Sequence, residues 1–111
     1  MPNLTVIETL CAAVDAAFAA DPGLAARFPG SPAAKGQPTA SLKTFVTDRP
    51  GHDRRYAIDE TKARAELGYA PARTFDQGFA ETLHWYLANK GWWRAVIDGS
   101  YRDWVATNYT R

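Results

Sequence analysis

Apolar residues open the chain at helical spacing. Leu4, Ile7, Leu10, Cys11, Val14, Ala17 and Phe18 recur three or four positions apart, which predicts an amphipathic helix. Alanines fill the positions between them and favour the same state. Asn3 stands where an N-cap belongs. The pattern then breaks. Residues 21–42 hold Pro22, Pro29, Pro32 and Pro38 with three glycines, and read as an irregular connection, partly mobile. Phe45 and Val46 sit in the short stretch Lys43 to Thr47, which predicts one brief strand.

Helical punctuation returns beyond residue 58. Asp59 is placed to cap a helix that stops at Gly68, with Pro71 just past it. Thr74 and Gln77 have capping-box spacing, and Phe75, Phe79, Leu83, Tyr86 and Leu87 give the next helix its apolar face. Gly91 is the expected stop. Trp92, Trp93, Val96 and Ile97 predict a short helix before Gly99, and Tyr101, Trp104 and Val105 a last turn or two. The expected fold is mainly α, or α+β with one or two short strands, in a single partial domain over 1–111. Trp85, Trp92, Trp93 and Trp104 are expected in its core, because each buries a large area.

Composition narrows the function classes. Thirteen Lys and Arg against twelve Asp and Glu leave a net charge of +1, which argues against general nucleic-acid binding. Cys11 is the single cysteine, so no internal disulfide forms and a reducing, cytoplasmic setting is expected. No apolar run is read as a membrane span. Residues 1–20 lack a basic start and carry Glu8 and Asp15, unlike a signal peptide.

The charge that exists is concentrated. Thr47 to Asp59 holds Arg49, Arg54, Arg55 and His52 around a Pro50-Gly51 pair. Proline fixes φ and glycine tolerates positive φ, so the backbone turns sharply there. Arg49 and His52 flank the bend and are able to face one small target. A guanidinium fork matches phosphate oxygens two at a time. The loop therefore reads as a grip for a phosphorylated small molecule, or as a surface turn with solvated charges. Arg54 and Arg55 are expected to be structural ion-pair partners.

Other patterns carry less. Tyr86 and Lys90 have the Tyr-x-x-x-Lys spacing of short-chain dehydrogenases, but no dinucleotide fold accompanies them. Cys11, His52 and His84 are too scattered for a metal motif. Ser31, Ser41 and Ser100 lack a nucleophile-elbow setting. Glu60, Glu66 and Glu81 read as solvent-facing helix positions.

The wording of the basic loop, Asp48-Arg49-Pro50-Gly51-His52-Asp53-Arg54-Arg55-Tyr56-Ala57-Ile58-Asp59, resembles that of the dTDP-glucose 4,6-dehydratases. These are NAD-dependent enzymes of the extended short-chain dehydrogenase/reductase superfamily. The resemblance continues through Lys62, Glu66-Leu67-Gly68-Tyr69, Pro71, Thr74-Phe75 and Gly78. It runs on through Trp85-Tyr86-Leu87-Ala88-Asn89, Gly99-Ser100-Tyr101, Trp104 and Asn108-Tyr109, and takes in Asn3-Leu4 and the helix after them. Residues 21–43 carry no family wording. The run from Lys62 to Gly78 is shared with epimerases and other sugar-nucleotide enzymes, whereas the basic loop and the Trp-rich tail are more specific.

The resemblance implies the C-terminal substrate-binding part of such an enzyme. Family members are far longer than 111 residues and open with a Gly-rich turn in a Rossmann domain. No two glycines here fall in Gly-x-Gly or Gly-x-x-Gly spacing. The implied partners are the missing Rossmann domain and dTDP-glucose or dTDP. NAD is implied for the parent enzyme, with none bound to this chain. The implied substrate contacts are Asn3 and Arg49 on the diphosphate, Asp48, Pro50, Gly51 and His52 in the loop around it, and Tyr109 on the nucleotide-sugar. The catalytic groups would lie in the missing part. The parent reaction is conversion of dTDP-glucose to dTDP-4-keto-6-deoxyglucose, a lyase step toward rhamnose. The alternative is a non-catalytic nucleotide-binding or subunit-packing module. Without the Rossmann domain, the apolar face of the first helix, led by Leu4, Ile7 and Leu10, is expected to be bared, so that the chain self-associates, swaps an element with a copy or leaves residues near 21–41 mobile.

Overall fold

The first helix, α1 (Asn3–Ala20), begins at its expected cap, one residue earlier than the capping pattern implies. The Pro2 carbonyl accepts the first helical bond, from the Val6 N–H at 3.2 Å. Pro2 therefore occupies the N-cap, and Asn3 lies inside the first turn without a capping bond. The structure is a computed structural model that describes residues 1–109, apart from the side chains of Ser100, Tyr101 and Tyr109. By length and composition α1 could cross a membrane, with a mean hydropathy of 1.4 that the sequence reading did not credit. Its two acids are instead tied across the fold. Asp15 accepts from the Thr39 amide at 3.0 Å and from the Thr39 hydroxyl, and Glu8 pairs with Lys43 at 3.5 Å.

Those ties hold the proline-rich stretch against α1. Where an irregular connection was expected, the chain forms α2 (Gly23–Arg27) and two 3-10 turns, Ala33–Lys35 and Thr39–Leu42. Prolines start these turns rather than break them. Pro22, Pro32 and Pro38 each occupy the N-cap, where no backbone N–H is needed. Asp21 adds a bond from the Gly23 N–H at 2.9 Å.

The strand expected over Lys43 to Thr47 does not form, and no strand occurs among the described residues. A strand needs a neighbouring edge to pair its backbone groups. None is present, and Phe45 and Val46 are left 83% and 84% exposed.

The later helices follow their punctuation closely. α3 spans Thr61–Leu67 with Glu60 at the N-cap, and Asp59, the expected cap, stands one position before it and accepts from the Thr61 amide at 3.0 Å and hydroxyl at 2.6 Å. Gly68 closes it in the left-handed region, φ +64°. α4 (Phe75–Ala88) starts on a complete capping box. Thr74 Oγ1 accepts from the Gln77 amide at 3.2 Å, and Gln77 Oε1 accepts from the Thr74 amide at 3.1 Å. The next break falls at Asn89, not Gly91. The Asn89 amide N–H and side-chain Nδ2 both donate to the Trp85 carbonyl, at 3.0 and 2.8 Å. Gly91 thus lies inside α5 (Lys90–Ile97). α6 (Ser100–Tyr109) is longer than the turn or two expected.

Packing is thin. Cys11 and Leu24 are the buried hydrophobic residues among those described. An aromatic row joins the two halves: Phe18 lies 6.4 Å from Phe28, which stacks on Trp93 at 6.1 Å. Trp93 Nε1 donates to the Tyr86 carbonyl at 2.8 Å. Trp85, Trp92 and Trp104 do not reach a core and stay 44%, 58% and 53% exposed. Too few elements surround them to cover an indole on all sides. The radius of gyration is 18.5 Å. A well-packed chain of this length would have about 13 Å.

Candidate functional site

The basic loop is organised by one carboxylate. Asp48 Oδ1 accepts from the Arg49 backbone N–H at 2.9 Å and lies 2.7 Å from Nδ1 of His52. Between them Pro50 and Gly51 make the turn, with Gly51 at φ +75°. The His52 hydrogen bond, then the Arg49 amide, hold the Asp48 carboxyl below its usual range. The loop is exposed, and its local geometry comes from these two bonds rather than from burial.

With the loop clipped this way, Arg49 is presented without a partner. No described residue makes a hydrogen bond or ion pair with its guanidinium. The same holds for Arg54 and Arg55, which correct the expectation of structural ion pairs. Asp53 is the only acid adjacent to them in sequence, and it forms no pair with either. Instead Arg54 and Arg55 line an open cleft of about 620 Å³ with Pro2, Asn3, Asp53 and Tyr56.

That cleft brings Asn3 to the basic loop, but to its second half. Arg49 and His52 do not line it. Asn3, Arg54 and Arg55 offer donors to one cleft, and Arg49 offers a fork just upstream in the chain. Free cationic donors with no carboxylate to satisfy them suit an anion. The sequence reading missed Arg54 and Arg55 as site residues. The signal was present in Arg54 and Arg55, two arginines with one adjacent acid, Asp53. The side chain of Tyr109 lies outside the described residues.

The discarded patterns stay discarded. Tyr86 lies in the last turn of α4 and Lys90 begins α5, so the Asn89 break separates them. Lys90 Nζ donates to the Arg27 carbonyl and stands 4.9 Å above the Phe28 ring. Among the described residues no group of three His, Cys, Asp or Glu could hold a metal. They also offer no strand and no Gly-x-Gly turn on which a dinucleotide could lie, so these residues do not fit NAD.

A second feature runs along α1. Leu4, Ile7, Val14, Leu42 and Phe45 line an apolar groove of about 550 Å³, with Cys11 against it. Leu4, Ile7 and Leu10 are each at least 40% exposed.

The chain is similar to proteins named dTDP-glucose 4,6-dehydratase. The relative from Xanthomonas campestris pv. campestris (strain ATCC 33913) is 46% identical over 100 residues, 90% of this chain and 25% of the relative. The relative from Neisseria meningitidis serogroup B is 43% identical over the same shares of each. The dTDP-glucose 4,6-dehydratase 1 of Escherichia coli (strain K12) is 50% identical over 66 residues, 60% of this chain and 18% of the relative. The chain therefore spans about a quarter of the length of the curated relatives that match most of it. No family model matches, and no solved structure matches.

Proposed function

We propose that this chain is the C-terminal, sugar-nucleotide-binding part of a dTDP-glucose 4,6-dehydratase, acting in the cytoplasm. The parent enzyme converts dTDP-glucose to dTDP-4-keto-6-deoxyglucose with NAD held by its Rossmann domain. The contribution of this segment is to hold the diphosphate through Arg49 and the Asp48–His52 loop, with Asn3 and Tyr109 as further contacts. Holding the non-reacting nucleotide positions the sugar, which is how remote binding energy serves a reaction. The chain alone is inactive on this reading.

The observation that carries the reading is Arg49: a guanidinium without a partner, next to a turn that Asp48 clips shut. The similarity to named dehydratases over 90% of the chain supports it. Calorimetric titration of dTDP into the full-length enzyme carrying this segment tests it. Arg49→Ala weakens binding roughly ten- to a hundredfold, the equivalent of about 1.5–3 kcal/mol for a charged hydrogen bond. Arg64→Ala is the control, because Arg64 is already paired with Glu60. Equal losses would remove the loop from the diphosphate site. The second reading, a subunit-packing module, draws on the apolar groove beside α1.

A further inference from the structure

We propose that Asp48 is a positioning residue that fixes a proton on Nδ1 of His52, so that the ring grips a phosphate oxygen through Nε2 only after taking up a second proton. The inference rests on the reading of this loop as a diphosphate grip. It changes the role of Asp48 from a ligand to a group that acts through its neighbours. A carboxylate facing a diphosphate would repel it, so Asp48 is ill suited to touch the ligand itself.

The argument is one of donors and acceptors. An ionised carboxylate accepts hydrogen bonds and donates none. His52 Nδ1 lies 2.7 Å from Asp48 Oδ1, so the shared proton sits on Nδ1. A neutral imidazole has a single N–H. With that proton on Nδ1, Nε2 carries a lone pair, and a phosphate oxygen has nothing to accept there. The imidazolium has N–H groups on both nitrogens, and only that form donates to Asp48 and to a phosphate together. Binding through Nε2 therefore takes up one proton.

The His52 ring is not enclosed. Asp48 is the group recorded against it among the described residues, with Arg49 and Asp53 nearby in the chain. Arg49 opposes a second positive charge, and Asp48 and a bound phosphate favour it. The His52 side chain is 33% exposed and that of Asp48 77%, so solvent reaches both.

The test is nitrogen NMR of the His52 ring in the chain as it stands, with dTDP and with inorganic pyrophosphate as probes. Without a probe at high pH, the neutral ring should carry its proton on Nδ1. In Asp48→Asn the side-chain amide donates to Nδ1 instead, and the ring proton should move to Nε2. Saturation with either probe should raise the His52 pKa in the unaltered chain. Between the probe-free and probe-bound values the affinity should fall about tenfold per pH unit, as one linked proton requires, and level off above them. In Asp48→Asn that slope should flatten. Amide shifts along α1 and α4 report whether the variant is folded, and the unaltered chain decides the tautomer without it. A neutral ring protonated on Nε2 in the unaltered chain overturns the proposal. So does a probe that shifts the Arg49 and Gly51 amides while leaving the His52 pKa unchanged, which leaves the grip itself standing. If neither probe moves any loop amide, the grip reading falls and this proposal falls with it.

Discussion

Lys90 Nζ stands 4.9 Å above the centroid of Phe28 and donates to the carbonyl of Arg27. This joins the start of α5 to the end of α2 across 63 residues of sequence. It also accounts for the lysine of the Tyr-x-x-x-Lys pattern without any catalytic role. Lys90→Met keeps the stem and removes the charge. It should cost about 1–2 kcal/mol, from a lost cation–π contact and a partly exposed charged hydrogen bond. Urea unfolding followed by tryptophan fluorescence reads this. An unchanged midpoint would mean that the junction is held by the Phe28–Trp93 stack alone.

Two helix signals are sharp enough for single substitutions. Gly68 ends α3 at φ +64°, and a Cβ built there meets nothing within 4 Å. Gly68→Ala therefore isolates the backbone cost, which should be about 1–2 kcal/mol for a left-handed residue. Thr74→Ala removes one arm of the α4 capping box and should cost about 1 kcal/mol. Thermal unfolding of both variants measures these costs. A neutral Gly68→Ala would show that α3 does not need its stop.

What the sequence made legible follows from the range of the interactions involved. The Thr74–Gln77 box and the Gly68 stop are contacts within six residues, so local chemistry decides them. Phe45 and Val46 were read as strand because their side chains suit one, yet a strand is a property of two segments, and the described residues hold no second one. Residues 21–42 were read as irregular from their prolines. Thr39 reaching Asp15 across 24 residues holds them in turns. At the site, the Pro50–Gly51 bend and the exposure of Arg49 were legible. The cleft that puts Asn3 beside Arg54 and Arg55 was not, because it depends on where the end of α1 falls in space.

Acid should loosen the start of α3 at a defined point. Asp59 is held below its usual value of 3.8, first by the Thr61 hydroxyl and then by the Thr61 amide. A carboxyl with a lowered folded pKa contributes order above its unfolded pKa. It loses that contribution as pH falls through the lower folded value. The Asp59–Thr61 bonds should therefore be intact from neutral pH down to about 4 and fail below it. Carbon shifts of the Asp59 carboxyl and the Thr61 amide shift, followed from pH 6 to pH 2, report both ends of the contact. Loss of the Thr61 shift between pH 5 and 6 would assign the order to another group.

The apolar face of α1 should drive self-association of the chain by itself. The accessible surface is 9371 Å². A compact monomer of 12.2 kDa would expose about 6,000 Å². The excess is larger than the roughly 1,600 Å² that a standard protein interface buries. Leu4, Ile7 and Leu10 lie on one face of α1, and the groove beside them is walled by Leu42 and Phe45. The Glu8–Lys43 pair neutralises the nearest charges in place, so two copies meet there without like-charge repulsion. Light scattering over a concentration series should show a dimer or larger species. Ile7→Glu should return the chain to a monomer with an unchanged far-ultraviolet spectrum. Ile58→Glu, at a position 92% exposed and away from the groove, should not. A monomer at every concentration would reject association through this face. If that monomer were then captured by the rest of a dehydratase supplied in trans, the face would belong to that partner.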